Sequence, residues 1–368
     1  MNNEIFDKVT VIIPTFNRYP YLLRLLNYYK SYDFPFRILI LDSSTDLLDQ
    51  DKFRVLLSNN KICYLKTNLD FVAKIVAGLK SVSTPYGILC ADDMFMTLNG
   101  IRQSVYFLEN NTDFTVAHGL CIGFWSKKIK GNKQQFFCEP SYVLHSITFS
   151  NPDERLVYHL SNYSATFYGV SRIDLLKLIF EEAAKFTDNN LFTELLLSAL
   201  TLIYGKMKTL DVFYIARQAL SNSMTTRSKT LIGFIKDGTY TEEYAKFREC
   251  LTGHLSIKAN LDIVDAKKAV DRGMSIYLSV CLRNRESVKN ILIRKIKDIL
   301  ENRRLPDRVY EEIRSLYRKL FIRHQERLDD FKTFENTPFS KYYEEVNQIY
   351  KHLLSFPVPD NKIKQSVI

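Results

Sequence analysis

The chain has 368 residues, 46% of them hydrophobic and 25% charged, with a net charge of +10. This is length enough for two domains or one enlarged one, and apolar content enough for a folded core. No apolar run approaches the roughly 20 residues of a membrane span, the first residues lack the basic and apolar blocks of a signal peptide, and the six Cys show no Cys-x-x-Cys spacing.

The expectation is therefore a cytoplasmic protein whose cysteines are buried free thiols rather than disulfides or zinc ligands. The charge is uneven. Residues 221–368 hold 28 Lys and Arg against 20 Asp and Glu. Such a surplus attracts phosphate on nucleic acid, on an anionic membrane surface or on an acidic substrate, although a solvated helical face carries the same signature. No nucleic-acid motif accompanies it.

Lys8 to Pro14 reads as a first buried strand, followed by the polar turn Thr15-Phe-Asn-Arg18. Leu22, Leu25, Leu26 and Tyr29 then share one helical face. Phe36 to Asp42 is a second strand and Ile62 to Leu65 a short third. Phe71, Val72, Ile75, Val76 and Leu79 stripe a helix. Tyr86 to Ala91 is an apolar run that stops at two adjacent acids, Asp92 and Asp93, before a helix with Leu98, Ile101, Val105 and Leu108 inward. Strand–helix alternation of this kind predicts an α/β fold with right-handed βαβ units and a mostly parallel sheet. The polar tips Thr15 and Asn17, Asp42, Asn68 and Asp92 would line one edge of it. That edge is where open α/β sheets put their ligands. Paired carboxylates there suit Mg²⁺ or Mn²⁺; the plainer alternative is that Asp92 caps the helix starting near Thr97.

Further on, Phe114 to Trp125 is strand-like, Lys127 to Gln135 a basic loop, Ser161 to Val170 a strand and turn, and Arg172 to Phe186 a helix. Thr187 to Asn190 looks like a helix N-cap, Gly205 a C-cap, and Lys206 to Tyr214 a last strand. From about residue 230 no strand is evident. Met274–Leu282 and Val288–Leu300 are apolar-striped, and Val309, Ile313, Leu316 and Leu320 repeat at helical spacing, with a break at Arg303 to Pro306. The composition shift divides the chain into an α/β domain, 1–228, and a basic, all-helical C-terminal domain, 229–368.

The ordered set Val11-Ile-Ile-Pro-Thr-Phe-Asn-Arg18, Ile40-Leu-Asp-Ser-Ser-Thr-Asp46, Asn68 with Ala73-Lys74 and Ala77-Gly78-Leu79, and Leu89-Cys-Ala-Asp-Asp93 resembles glycosyltransferases of the GT-A fold, family 2 type. The resemblance is densest over residues 8–100. It implies a nucleotide-sugar donor, a glycan or lipid-linked acceptor, an Mn²⁺ or Mg²⁺ ion and an inverting transfer, as in bacterial surface-glycan synthesis. By position it implies Asp92 at the metal, with Asp93 either a second metal ligand or a partner for ribose or sugar hydroxyls. It puts Asp42 at the base or ribose, and Pro14, Thr15, Asn17 and Asn68 around the nucleotide. Lys74 and Arg217 fall where a cation can reach phosphate; a surface helix lysine is the alternative for Lys74. Cys90 stands where the motif has its first Asp.

The same resemblance calls for a carboxylate base on a helix that ends at a Gly before the last strand. Glu194, eleven residues before Gly205, interrupts the apolar run from Leu191 to Leu197 and fits that position; Asp188, at the helix start, is the runner-up, and a solvent-facing Glu194 is the alternative. Tyr163, Thr166 and Tyr168 could face a sugar or simply sit in a strand. The basic helical stretch suits an anionic membrane at the inner face of the plasma membrane, an acidic polymer or a second copy of the chain. A nucleotidyltransferase would want a Gly-rich loop after the first strand, which Pro14 to Arg18 lacks. A basic scaffold on a degenerate sheet is the non-enzymatic alternative.

Overall fold

The computed structural model describes residues 4–128, 134–142, 145–185, 190–218, 231–236, 238–286, 326–328 and 339–358. The chain runs α1 (Glu4–Asp7), β1 (Val9–Thr15), α2 (Tyr19–Lys30), β2 (Arg37–Asp42), α3 (Gln50–Leu57), β3 (Ile62–Lys66), α4 (Phe71–Leu79), β4 (Tyr86–Leu89), β5 (Met94–Met96) and α5 (Leu98–Asn110). It continues through β6 (Phe114–Lys128), β7 (Gln134–Tyr142), α6 (Pro152–Ser161), β8 (Val170–Arg172), α7 (Ile173–Ala183), α8 (Asn190–Tyr204) and β9 (Lys206–Gln218). Four further helices follow β9 among the described residues: Leu231–Lys236, Tyr240–Ala259, Ile263–Glu286 and Tyr343–Ser355.

Parallel pairing of β4, β1, β2 and β3, in that spatial order, forms the first half of the sheet. The crossover direction reverses between β1 and β4, so the carboxyl ends of these two strands flank a topological switch point. The second half departs from the mostly parallel expectation. β4–β8, β6–β8, β6–β7 and β5–β9 are antiparallel, while β6–β9 is parallel. For β6 and β7 the short separation in sequence accounts for this, since strands joined by a short connection pair antiparallel; the other antiparallel pairs are brought together across intervening helices.

Alternation along the strands divides the core into two layers. Val9, Val11 and Ile13 of β1, with Ile38 and Ile40 of β2, face a layer under α2, α3 and α5. Ile12, Leu39, Leu41 and Leu89 face the other, under α4, α7 and α8. Side chains cap two of the helices: Asp70 Oδ1 accepts from Ala73 N (2.8 Å) and Thr97 Oγ1 from Gly100 N (3.1 Å). Thr97, not Asp92, is the cap of α5. Ser161 to Gly169 is not a strand: α6 ends at Ser161 and irregular backbone leads to β8. Gly205 does follow α8, but for space. A Cβ there would lie 2.2 Å from Thr115 Cγ2 and 2.9 Å from Thr115 Cβ.

The helix Tyr240–Ala259 buries Phe247, Leu251 and Leu255, and Ile263–Glu286 buries Ala266, Val270 and Met274, all in the layer that contains α8. The helix Tyr343–Ser355 instead adds Val346, Ile349 and Leu353 to the α2 layer, with His352 Nε2 2.8 Å from Arg24 O. The expectation of no strand after residue 230 is corrected by Glu326–Arg327, which pairs with β7. The boundary at 228/229, residue Asp188 and the segments 288–300 and 303–320 lie outside the described residues. Cys63 is exposed and Cys250 and Cys281 are half-buried, so only Cys90, Cys121 and Cys138 are the buried thiols expected. No helix among the described residues is long and apolar enough to cross a membrane.

α5 lies so close to β9 that a Cβ on Gly100 would sit 2.7 Å from Phe213 O and 2.9 Å from Tyr214 Cα. Backbone cannot yield as a side chain can, and overpacking costs about 1–3 kcal/mol. Gly100→Ala is expected to lower unfolding stability by that amount in urea titration.

Candidate active site

β1 ends at Thr15 and β4 just before Cys90, so the loops after them meet at the switch point. Asp92 and Asp93 are both buried there. Thr15 Oγ1 donates to Asp92 Oδ2 (2.8 Å). The Arg18 guanidinium bridges the pair, 3.1 Å from Asp92 Oδ1 and 2.8 Å from Asp93 Oδ2, and its Cζ lies 4.7 Å from the Tyr21 ring centroid. Asp93 Oδ1 is buried with no hydrogen-bond partner among the described residues. Burial holds the Asp92 carboxyl well above the usual carboxylate range; Arg18 opposes this and the neighbouring Asp93 adds to it. Behind the pair, Arg24 is buried against Tyr21 and Phe95, donates to Gln218 Oε1, and is lowered by desolvation to about 10.

Lys74 is not a surface lysine. It is 3% exposed, and its Nζ donates to Thr15 O (2.8 Å) and Ser43 Oγ (2.9 Å), tying the tips of β1 and β2. Desolvation lowers it to about 8, against the pull of Asp42 and Asp92. Cys90 points the other way, into the α2 layer beside Tyr29.

These groups open onto a cleft of about 590 Å³. Pro14, Thr15, Lys74, Asp92 and Asp93 line its floor side, Asn68 and the exposed Phe16 its mouth. Its opposite wall is one face of α8, where Asn190, Thr193, Glu194 and Leu197 recur at helical spacing. Arg217 and Tyr168 complete it, with Arg217 Cζ 5.8 Å from the Tyr168 ring centroid. The end of β9 is held there by the Met94–Arg217 register and by Gln218 N donating to Asp93 O (3.0 Å). Glu194 is half-buried; desolvation raises its carboxyl and Arg217 partly offsets this.

The expected residues thus separate. Pro14, Thr15, Asn68, Lys74, Asp92, Asp93, Glu194 and Arg217 share the cleft, whereas Asn17 and Asp42 do not line it. Asn17 adopts a left-handed conformation (φ 54°), and its Oδ1 accepts from Thr45 N (2.8 Å) and Asp46 N (3.2 Å). Asp42 is buried under the same loop, accepting from Ser44 N (2.8 Å), Tyr19 Oη (2.8 Å), Tyr64 Oη and Lys66 Nζ (3.1 Å). Desolvation pushes Asp42 up, but the bonds from Ser44, Tyr64 and Tyr19 outweigh it and bring the group to about 2. Of the aromatic and hydroxyl group proposed for the sugar side, Tyr168 alone lines the cleft; Tyr163 and Thr166 are packed away from it. Arg18 and Arg24 were missed. Arg24 had a signal, a charge within the apolar face of α2, while Arg18 looked like part of a turn.

Residues 10–172, from within β1 to the end of β8, match the family described as Glycosyl transferase family 2. This stretch belongs to glycosyltransferase family 2. The family 2 match stops short of α8 and β9, so Glu194 and Arg217 stand on geometry alone. No curated protein matches the chain. Among solved structures it is similar to S. aureus TarS residues 1–349, at 15% identity over 93% of this chain and 91% of that one, with a TM-score of 0.47. The same TarS piece in complex with UDP-GlcNAc matches at 14% identity, 93% and 91% coverage and a TM-score of 0.47. Against a longer TarS structure the identity is 15%, coverage 82% of this chain and the TM-score 0.45; the match spans half of that protein.

The lowered Asp42 carboxyl stabilises the folded state above the ordinary carboxylate range, and this is lost as pH falls toward about 2. Asp42→Asn is expected to be less stable than wild type by about 1–3 kcal/mol at pH 7. The gap should narrow on acidification between about pH 4 and 2, read from denaturant unfolding at each pH.

Proposed function

We propose that the protein transfers a sugar from a nucleotide-sugar donor to a hydroxyl of a glycan or lipid-linked acceptor, with inversion at the anomeric carbon, in the synthesis of a surface polysaccharide. The observation that carries this reading is one cleft with a cation and two carboxylates on the strand-tip side and a half-buried glutamate on the facing helix. Its volume is that of an ordinary small-molecule site. The family 2 match over residues 10–172 supports the donor class.

Lys74 offers a donor at the floor. An ammonium has three hydrogens, two of which go to Thr15 O and Ser43 Oγ, leaving one for a phosphate oxygen. Asp92 and Asp93 fit a divalent ion. They lie side by side on the Arg18 guanidinium, and Asp93 Oδ1 is a buried oxygen with no hydrogen-bond partner among the described residues. Hard oxygens of this kind suit Mn²⁺ or Mg²⁺, which when bound supplies Lewis-acid neutralisation of the leaving diphosphate. Glu194 takes the proton of the acceptor hydroxyl as that oxygen bonds to the anomeric carbon and the carbon–phosphate-oxygen bond breaks. Arg217 favours the ionised form of Glu194 that this step needs. Asp188 is the reserve candidate for this base. Asn17 and Asp42 act in this reading by shaping the β1 and β2 tips against which the nucleotide rests. The basic surplus after residue 221 supports a peripheral contact with an anionic membrane or polymer, made by the helical part from 229 on.

The deciding experiment is a melting-temperature panel with UDP-, GDP-, dTDP- and CMP-sugars, each with and without Mn²⁺. A ligand bound by the folded state alone raises the midpoint. At least one nucleotide sugar should do so, more strongly with Mn²⁺, and no shift from any would reject the proposal. Lys74→Met should weaken donor binding about ten- to a hundredfold, the equivalent of a charged hydrogen bond worth about 1.5–3 kcal/mol.

Glu194→Gln should retain donor binding and lose transfer. Because burial raises the Glu194 carboxyl, it is still protonated above the ordinary value of 4.5. The acid limb of kcat/KM should therefore have its midpoint above pH 4.5 and vanish in any residual activity of Glu194→Gln. An unchanged turnover in that variant would remove Glu194 from the chemistry.

A further inference from the structure

Away from the cleft, three metal-ligating side chains converge where the helix Tyr240–Ala259 crosses α7. Glu182 projects from α7; Cys250 and His254 stand one turn apart on the longer helix. Their ligand atoms all lie within 4.8 Å of one another, and they form the one such group of His, Cys, Asp and Glu among the described residues.

The separations are those of a metal shell. Zinc bonds of about 2.0–2.3 Å in tetrahedral array put nitrogen and oxygen ligands about 3.4 Å apart and sulfur and oxygen ligands about 3.6 Å apart. His254 Nε2 lies 3.4 Å from Glu182 Oε2, and Cys250 Sγ lies 3.5 Å from the same oxygen. The imidazole is also held as a metal-bound imidazole usually is: Nδ1 is 2.8 Å from Tyr204 Oη at the end of α8, which leaves Nε2 directed at the cluster. All three groups are partly exposed, so an ion and a completing water can enter; Glu182 and His254 side chains are each 19% exposed.

We propose that Glu182, Cys250 and His254 form a zinc-type transition-metal site, completed by water, that clamps the C-terminal helix Tyr240–Ala259 to α7. The cysteine expected from sequence to be an inert thiol becomes a ligand. On binding, the Cys250 S–H proton is released to solvent as the sulfur–metal bond forms. The thiolate and the carboxylate then cancel the two positive charges of the ion. Without metal, burial and the nearby Glu182 carboxylate push the Cys250 thiol up to about 12. In that state Glu182 is shared with Lys185 Nζ, at 2.8 and 2.7 Å, an exposed and readily displaced partner. The proposal is independent of the transferase reading, since none of these residues lines the cleft.

The test is titration of the full-length, EDTA-stripped protein with Co²⁺. The expected result is a near-ultraviolet thiolate-to-cobalt band that saturates at one equivalent and is displaced by Zn²⁺. The band should persist in Cys63→Ser, which removes the exposed thiol, and disappear in Cys250→Ser. Zn²⁺ should raise the melting temperature of wild type and not of Cys250→Ser. Tyr204→Phe should weaken Co²⁺ binding about tenfold through loss of the orienting bond. If Cys250→Ser does not fold, zinc-edge X-ray absorption on wild type reads the sulfur ligand directly. No thiolate band, a band that survives Cys250→Ser, or a zinc shell without sulfur would each overturn the site.

Discussion

Two carboxylates side by side in a buried position repel each other, and each resists ionising away from water. Asp92 and Asp93 are tolerated because the rest of the fold brings charge and donors to them. Thr15 arrives on β1, Arg18 on the turn that follows, Lys74 on α4 and Arg24 from behind on α2. Three of them come from the β1–α2 unit and Lys74 from the β3–α4 unit. Only the parallel order β4-β1-β2-β3, with its reversal between β1 and β4, brings their tips to one place. The cleft is thus a consequence of topology.

The second wall has a different origin. α8 is apolar over most of its surface, and Glu194 with Asn190 and Thr193 lies on the face toward the cleft. The remaining faces are covered by α7 and by the helix Tyr240–Ala259, whose Phe247, Leu251 and Leu255 join the same core layer. A rotation of α8 that hid Glu194 would expose that layer to water, at about 25 cal/mol for each Å² of apolar surface. The C-terminal helices therefore hold the glutamate toward the cleft through packing. The Glu182–Cys250–His254 group lies on the same helix-to-helix seam.

Much of this was legible before any coordinates. Strand–helix alternation and the polar strand tips are local patterns, set by side-chain period and backbone hydrogen bonding over a few residues. So is the placement of Asp92 and Asp93 at a strand end. The antiparallel second half was not legible, because β6, β8 and β9 pair across long loops and nothing in a strand's own residues names its neighbour. The segment from Ser161 to Gly169 has strand-like composition but leaves a helix and turns, tertiary packing overriding propensity.

What the amino-acid order determined unaided was the kind of protein and its candidate chemistry: an α/β sheet, a carboxylate pair at a strand end, and one acid interrupting an apolar helix. The folded chain decided which candidates face the ligand. Lys74 proved to be a buried cleft cation, while Asp42 and Asn17 proved to be braces of the neighbouring loop. It also brought Arg18 and Arg24 to the acids, and Glu182 to Cys250 and His254. The reason is physical. Sequence spacing specifies neighbours along one helix or strand, whereas a site is made by residues far apart in the chain, and which of them meet depends on how the layers pack.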